Sequence, residues 1–471
     1  MIALALLLLL PLALAESPDR SAPPAVVPPP PPPWPAPAVY ALSDGTPVWI
    51  IERHDQPLVR IELSARRGSA DLADPLGARM AQALLDRGTT RREAQDWQDA
   101  LDAEAATVDL GMGALRAWAD VEALAGEEEA ALRLALEAFV HPAFDRQELR
   151  RTRKDWRTAR AEAWTSSAEV EDAALRQAVY PADHPLGART IPADYRRLRK
   201  HRVQRAWKEL LTTAQPAILV VGDVTPAHIL PLLEATWAGA LPGRRVSPPL
   251  PAPPPTGLRL ILVDQPGTRQ TMLSASLPGL PADHPEAPAQ LLAIHALGGS
   301  FTSRLNSNLR EDKGYTYGAD AWLDTWPGHS RIRASTSVGV EHSAAALQEL
   351  IVELDRMASA PPSPAEVEAA RNGLFVSGAR ALDSLEGAAW PFGLALSEGA
   401  LANRPRARVE ALAATRPEEV AATAARLFGS PDRVIVIVGD REQIEPALDA
   451  AGLSPTAIWD RKRLILERRA L

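Results

Sequence analysis

The chain has 471 residues, 46% of them hydrophobic and 23% charged, with a formal net charge of −8 and a sequence pI near 5.7. That is the composition of a globular protein long enough for more than one domain, and its acidic balance argues against a nucleic-acid partner. There is no cysteine, which excludes disulfides, thiolate metal ligands, a cysteine nucleophile and a lipidated N-terminal cysteine.

The chain opens with MIALALLLLLPLALA, an apolar run that ends in Ala-Leu-Ala before Glu16. A short h-region closed by an A-x-A pattern predicts a signal peptide over 1–15, too short to span a membrane. The expected protein is exported, periplasmic or secreted, with no membrane span once the signal is removed. No Lys or Arg precedes the run, so either the free amino terminus supplies the positive charge or the true start lies upstream.

Residues 16–37 follow, dominated by proline in APPAVVPPPPPPWPAP. Proline cannot donate ladder hydrogen bonds and favours extended polyproline II, so this stretch is expected to be a stiff tether. A second cluster, Pro248–Pro255, lies near the middle of the chain. The two marks predict a domain over 38–242, a linker over 243–257 and a second domain over 258–471, each domain of ordinary size.

The halves repeat one pattern. Val48–Glu52 and Arg60–Ala65 read as a strand pair, and Leu258–Asp264 with Met272–Leu277 reads as its counterpart. AILVVGD at 217–223 is an apolar β-rich run closed by Gly-Asp and followed by a helical stretch; VIVIVGD at 434–440 is the same arrangement. Helix starts recur too. Asp145 with Glu148, and Ser363-Pro364 with Glu366, are capping-box patterns. Strand pairs mixed with long helical patterns predict an α+β class: two homologous domains, each a mixed, largely antiparallel sheet covered by helices.

From Leu297 the second half reads LGGSFTSRLNSNLREDKGYTYGA. A glycine pair, then S-R-L, L-R and Y-x-Y at these separations resembles the C-terminal domain signature of the insulinase (pitrilysin-type) metallopeptidase family, which includes the mitochondrial processing peptidase. The resemblance implies that Arg310 and Tyr317 bind substrate near the metal of the other domain. Arginine offers a rigid fork of donors and tyrosine a hydroxyl, a set suited to a peptide carbonyl. Tyr315, Arg304 and the Gly298-Gly299 pair are expected to shape the loop.

An active member of that family carries H-x-x-E-H on a helix of its first domain and a further glutamate about 75 residues later. Positions i, i+3 and i+4 share a helical face, so two imidazoles take one zinc ion while the carboxylate activates water. Here the equivalent stretch is PLGARMAQALLDRGTT. Registered on Gly88-Thr89, it puts Arg79, Gln82 and Ala83 at the His, Glu and His positions. In ELRRTRKDWRTA, Thr158 falls at the third ligand. A catalytic zinc needs about three protein ligands, and these four positions offer a guanidinium, an amide, a methyl and a hydroxyl. Asp155 and Glu162, one turn either side of Thr158, do not rebuild a site. None of the nine histidines makes an i, i+3 or i, i+4 pair. His295 is expected as a satisfied core histidine.

Other signals carry less. The basic helix around Arg150, Arg153, Lys154 and Arg157 reads as a solvated face, and no G-x-S-x-G elbow or P-loop is present. The expectation is therefore a non-catalytic, substrate-binding subunit of a two-chain zinc metallopeptidase. It binds no cofactor itself. Its partner is a homologous chain with an intact H-x-x-E-H that supplies zinc and base, and its substrate is a peptide. The alternatives are a structural scaffold, a stand-alone peptide-binding pseudo-peptidase, and a protease with an unconventional site.

Overall fold

The computed structural model describes residues 27–187 and 192–460. The expected signal peptide and the first part of the tether lie outside the described residues. Strands β1 (Ala38–Ala41), β2 (Pro47–Glu52), β3 (Leu58–Ala65), β4 (Thr107–Met112), β5 (Ala117–Leu124) and β6 (Pro216–Gly222) form one sheet in the order β1-β2-β6-β3-β5-β4. Strands β7 (Leu258–Asp264), β8 (Gln270–Gly279), β9 (Ala319–Trp326), β10 (His329–Gly339), β11 (Arg433–Gly439) and β12 (Ala457–Trp459) form a second, β12-β7-β11-β8-β10-β9.

The two orders are the same from the second position onward. In each sheet the late strand inserts beside the first long one in parallel, with Val48 opposite Ile218 and Leu260 opposite Ile435. The same strand pairs antiparallel on its other side, with Ile61 opposite Val220 and Ala275 opposite Ile435. All remaining long pairings are antiparallel. Both late strands, PAILVVG and RVIVIVG, are buried along their whole length. A near-continuous apolar run is what a strand covered on both faces requires.

The first half supplies helices α1 (Pro75–Gln82), α2 (Ala94–Ala103), α3 (Glu128–Val140), α4 (Arg146–Ala163), α5 (Ser167–Val179), α6 (Pro192–Arg196), α7 (Lys200–Thr213) and α8 (Pro226–Trp237). The second supplies α9 (Ala287–Gly298), α10 (Ser343–Ser359), α11 (Pro364–Ala381), α12 (Leu385–Glu398), α13 (Arg404–Ala414), α14 (Pro417–Phe428) and α15 (Arg441–Ala450). Both predicted caps form. Asp145 accepts from the N–H groups of Gln147 and Glu148, and Ser363 with Glu366 closes a full capping box behind Pro364.

Each half lends a helix to the other. Alternate residues of a strand face opposite sides. In the first sheet Val48, Ile50, Ile218 and Val220 face the core beneath that half's own helices. The opposite face, Trp49, Ile51, Leu219 and Val221, is covered by Leu385, Ala388, Phe392 and Leu396 of α12. Reciprocally, Ile261, Val263, Val436 and Val438 of the second sheet are covered by Val170, Ala174, Leu175 and Ala178 of α5. A Cβ on Gly393 would come 2.6 Å from Glu62 Oε2, so glycine lets α12 settle onto β3. Phe392 is fully buried in this junction; truncation to alanine would cost about 3–5 kcal/mol.

Residues 27–37 form no regular element, as proline dictates, yet they are not merely a spacer. Pro32 is buried, lying against Gly378 of α11, and Trp34 meets Phe392 edge-on at 5.9 Å. The end of the expected tether is thus laid on helices of the second half. Among the described residues no helix is long and apolar enough to cross a membrane.

Candidate functional site

The helix that would hold zinc is short. Asp74 caps α1 by accepting from Gly77 N–H at 2.9 Å and is clamped by both arms of Arg202. The regular helix ends at Gln82, and Ala83 is its C-terminal cap; the rest of the expected helical stretch is turns.

The four degenerate positions do not converge. Arg79 is exposed to a cavity of about 580 Å3 between α1, α4 and α5, and its Nε donates to Ser69 Oγ at 3.2 Å. Burial and the nearby charge of Arg176 push its pKa below the usual arginine value. Gln82 donates its amide to the carbonyl of Leu110, on the outermost strand β4, at 2.6 Å. Gln82 and Ala83 line a different cavity of about 450 Å3, whose other wall carries Glu148, Thr152 and Asp155 of α4. Thr158 is exposed and lines neither cavity. These residues do not fit a zinc ion: one is a cation turned elsewhere, one an amide already engaged, one a methyl. Among the described residues no group of three or more His, Asp or Glu is arranged to hold a metal.

Arg310 and Tyr317 share one surface loop. Arg310 lies in a π-helical turn, Asn306–Asp312, and Tyr317 stands between that turn and β9. The Arg310 guanidinium sits 3.6 Å from the centre of the Phe301 ring, and its Nε is 3.6 Å from Glu311. Its Nη1 is buried without a hydrogen-bond partner among the described residues. Tyr317 is 96% exposed. Cation–π stacking of this kind contributes about 0.5–2 kcal/mol and fixes the plane of the guanidinium, leaving its donors at the edge.

The surrounding residues hold the loop in shape. Arg304 clamps Glu366 with two bonds, at 2.6 and 3.0 Å, and donates to the carbonyls of Ala360 and Pro361. Tyr315 stacks on His342 at 4.8 Å. A Cβ on Gly298 would lie 2.4 Å from the Ala321 nitrogen, so this glycine permits α9 to touch β9. Two participants carry no signal in the motif as read. Phe301 is half of the guanidinium stack, and Asn306 pins the turn by bonding both the N–H and the carbonyl of Ala319. A large aromatic flanked by Gly-Ser and Thr-Ser was the available clue to Phe301. His295 differs from the expectation of a satisfied core residue. It is half-buried in the wall of a cavity of about 270 Å3, and burial lowers its pKa.

Residues 197–374 match the family model described as the peptidase M16 inactive domain. That stretch is less than half of the chain, and in it the chain is similar to the M16, insulinase-type family. The matched stretch contains Arg310 and Tyr317 and begins beyond α1 and α4. No curated protein matches its sequence. Among solved structures, it resembles the peptidase M16 inactive domain from Pseudomonas fluorescens, with 19% identity and a TM-score of 0.78, over 86% of this chain and 98% of that one. A protease from Helicobacter pylori is similar at 15% identity and TM-score 0.76, over 86% and 99%. The periplasmic protease PqqL from Escherichia coli is similar at 14% identity and TM-score 0.71, over 91% of this chain but 49% of that one. These likenesses establish the fold: α+β, two mixed six-stranded sheets covered by helices. The chain has the fold of the peptidase M16 inactive domain.

Proposed function

We propose that this chain is the substrate-binding half of a two-chain zinc metallopeptidase. A homologous partner with an intact H-x-x-E-H supplies the metal and the general base, and this chain binds no cofactor of its own. Arg310 and Tyr317 hold the peptide. The supporting observation is the state of Arg310: its plane is fixed by Phe301 while Nη1 lacks a partner. In the same loop the Tyr317 side chain stands in solvent. A scaffold has no need of an unsatisfied donor and an exposed phenol in one loop, and an orphaned buried donor costs about 1–3 kcal/mol. The apolar run at 1–15, read as an export signal, supports a periplasmic or secreted location, and the similar Escherichia coli protease is described as periplasmic.

The test is co-expression with a zinc-bearing homologue, followed by peptide cleavage. The chain alone should cleave nothing and the mixture should cleave. Arg310→Ala should lower turnover of the mixture by about a hundred- to a thousand-fold, the usual loss for a donor that stabilises developing charge. Tyr317→Phe should also depress turnover, and both complexes should stay assembled. Unchanged turnover in both variants would overturn the reading in favour of a scaffold.

A further inference from the structure

The cavity that Arg79 faces lies between α1, α4 and α5. At about 580 Å3 it lies within the usual size of a ligand site. Five guanidinium groups line it: Arg79, Arg160, Arg176, Arg197 and Arg202. The lining carboxylates are Asp74, Glu169, Asp172 and Asp194. Asp74 is engaged by Arg202, and Asp172 is shared between Arg176 and Arg333. Asp194 is buried and already has a partner within the fold. Glu169 is exposed, in the first turn of α5.

Three of the cations, Arg79, Arg160 and Arg197, face no acid within ion-pair distance among the described residues. Arg79 bonds only the Ser69 hydroxyl, and Arg160 lies over the Trp164 ring at 4.9 Å. A guanidinium has five N–H donors in a planar fork matched to a carboxylate. Arg79 uses one of them. Its positive charge is also opposed by that of Arg176, a repulsion that an anion in the cavity would relieve. Apolar walls at Ala70, Leu76 and Leu186 reduce screening and strengthen such a pairing.

The geometry points to a carboxylate-binding subsite for peptide, in which Arg79 and Arg160 grip either a C-terminal carboxylate or an acidic side chain. This rests on the peptide-binding reading above and names what the first half contributes to it: a charge-selective pocket where the helix carries arginine in place of a metal ligand.

The test is isothermal titration of the full chain with four probes: tetra-alanine as free acid, its C-terminal amide, Ac-Ala-Glu-Glu-Ala-NH2, and inorganic phosphate. At least one carboxylate-bearing peptide should bind tenfold or more tightly than the neutral amide, with affinity falling as salt rises; which one binds identifies the source of the carboxylate. Arg79→Ala and Arg160→Ala should each remove that preference, while Arg79→Lys keeps part of it. Trp164 fluorescence should change on binding in the parent and not in Arg160→Ala. Melting curves establish that the variants fold. Equal binding of the amide, binding of phosphate alone, or an unaltered preference in both folded alanine variants would overturn the proposal. Arg310→Ala should leave the charge preference intact. Loss of cleavage on Arg310→Ala without any charge preference in the parent would sink the subsite and spare the function.

Discussion

Arg333, in the middle of β10, reaches out of its own sheet to bond Asp172 at 3.0 Å and the carboxylate of Glu171, both on the helix α5 lent by the other half. Glu171 is almost fully buried, and burial raises its pKa against the pull of Arg333. Removing one partner of a buried pair leaves an uncompensated charge, at a cost of about 3–5 kcal/mol. Arg333→Ala should therefore lower the denaturation midpoint sharply. Adding Glu171→Leu should recover much of the loss, because an apolar replacement of both partners is often neutral. A double variant as unstable as the single one would show that the pair is not what fastens α5.

The capping box on α11 joins the Arg/Tyr loop to the helical layer. Ser363 Oγ accepts from Glu366 N–H at 3.3 Å, and Glu366 accepts from Ser363 N–H at 2.8 Å. Ser363→Ala should cost about 1 kcal/mol, read as a shift in midpoint.

The same carboxylate makes stability depend on acid. Bonds from Arg304 first, and then from Ser363, hold Glu366 down at about 2, against 4.5 for the free side chain. A depressed carboxylate pKa contributes stability that is complete above 4.5 and is lost as pH falls from there through 2. Glu366→Gln should flatten the chain's stability profile in that interval. An unchanged slope would mean that the Arg304 clamp is absent in solution.

Two histidines pin the mid-chain linker. His329, 3% exposed, bonds the Leu250 carbonyl through Nδ1 and Tyr180 Oη through Nε2, each at 3.2 Å, and His184 Nε2 bonds the Pro251 carbonyl at 2.9 Å. A neutral ring satisfies both His329 contacts: Nδ1–H donates and Nε2 accepts from the phenol. Burial, with smaller contributions from the charges of His184 and Arg331, lowers the His329 pKa below 6.5. The unfolded state then binds the proton more readily. Stability is full above 6.5 and declines as pH falls below it. Between pH 7.5 and 5.5 the parent should lose more melting temperature than His329→Gln does.

Much of this architecture was legible in the sequence. The two Gly-Asp strand ends, the two caps and the individual strands depend on local chemistry, and each lies where the pattern put it; the expected strand pairs do not form, because β6 inserts between β2 and β3 and β11 between β7 and β8. What periodicity could not reveal is which sheet a helix covers. α5 and α12 carry apolar stripes that fit either sheet, and the exchange between halves is decided by long-range packing on Trp49 and Ile261 and their neighbours. The proline stretch shows a related limit: composition reports backbone stiffness, while its docking involves Pro32 against Gly378 and Trp34 against Phe392. At the candidate site the motif marked Arg310 and Tyr317, but Phe301 became visible only once the turn brought it under the guanidinium. Counting along the chain led to Thr158, whereas the helix faces bring Thr152 and Asp155 toward Gln82 and Ala83.

That difference in register can be measured with zinc itself. A quadruple variant built by sequence count, Arg79→His, Gln82→Glu, Ala83→His and Thr158→Glu, places its last carboxylate on a surface that lines neither cavity. A second quadruple variant, with Thr152→Glu replacing the change at 158, places it on the wall facing residues 82 and 83, beside Asp155. Metal ligands must lie about 2.0–2.2 Å from the ion, a tolerance far smaller than the turn or more of helix that separates the two designs. After dialysis against dilute zinc, elemental analysis should find more metal on the second variant than on the first, and little on the parent. If the Thr158→Glu design retained more zinc, α4 would have to be rotated relative to α1, and the division of Arg79 from Gln82 and Ala83 between two cavities would fall with it.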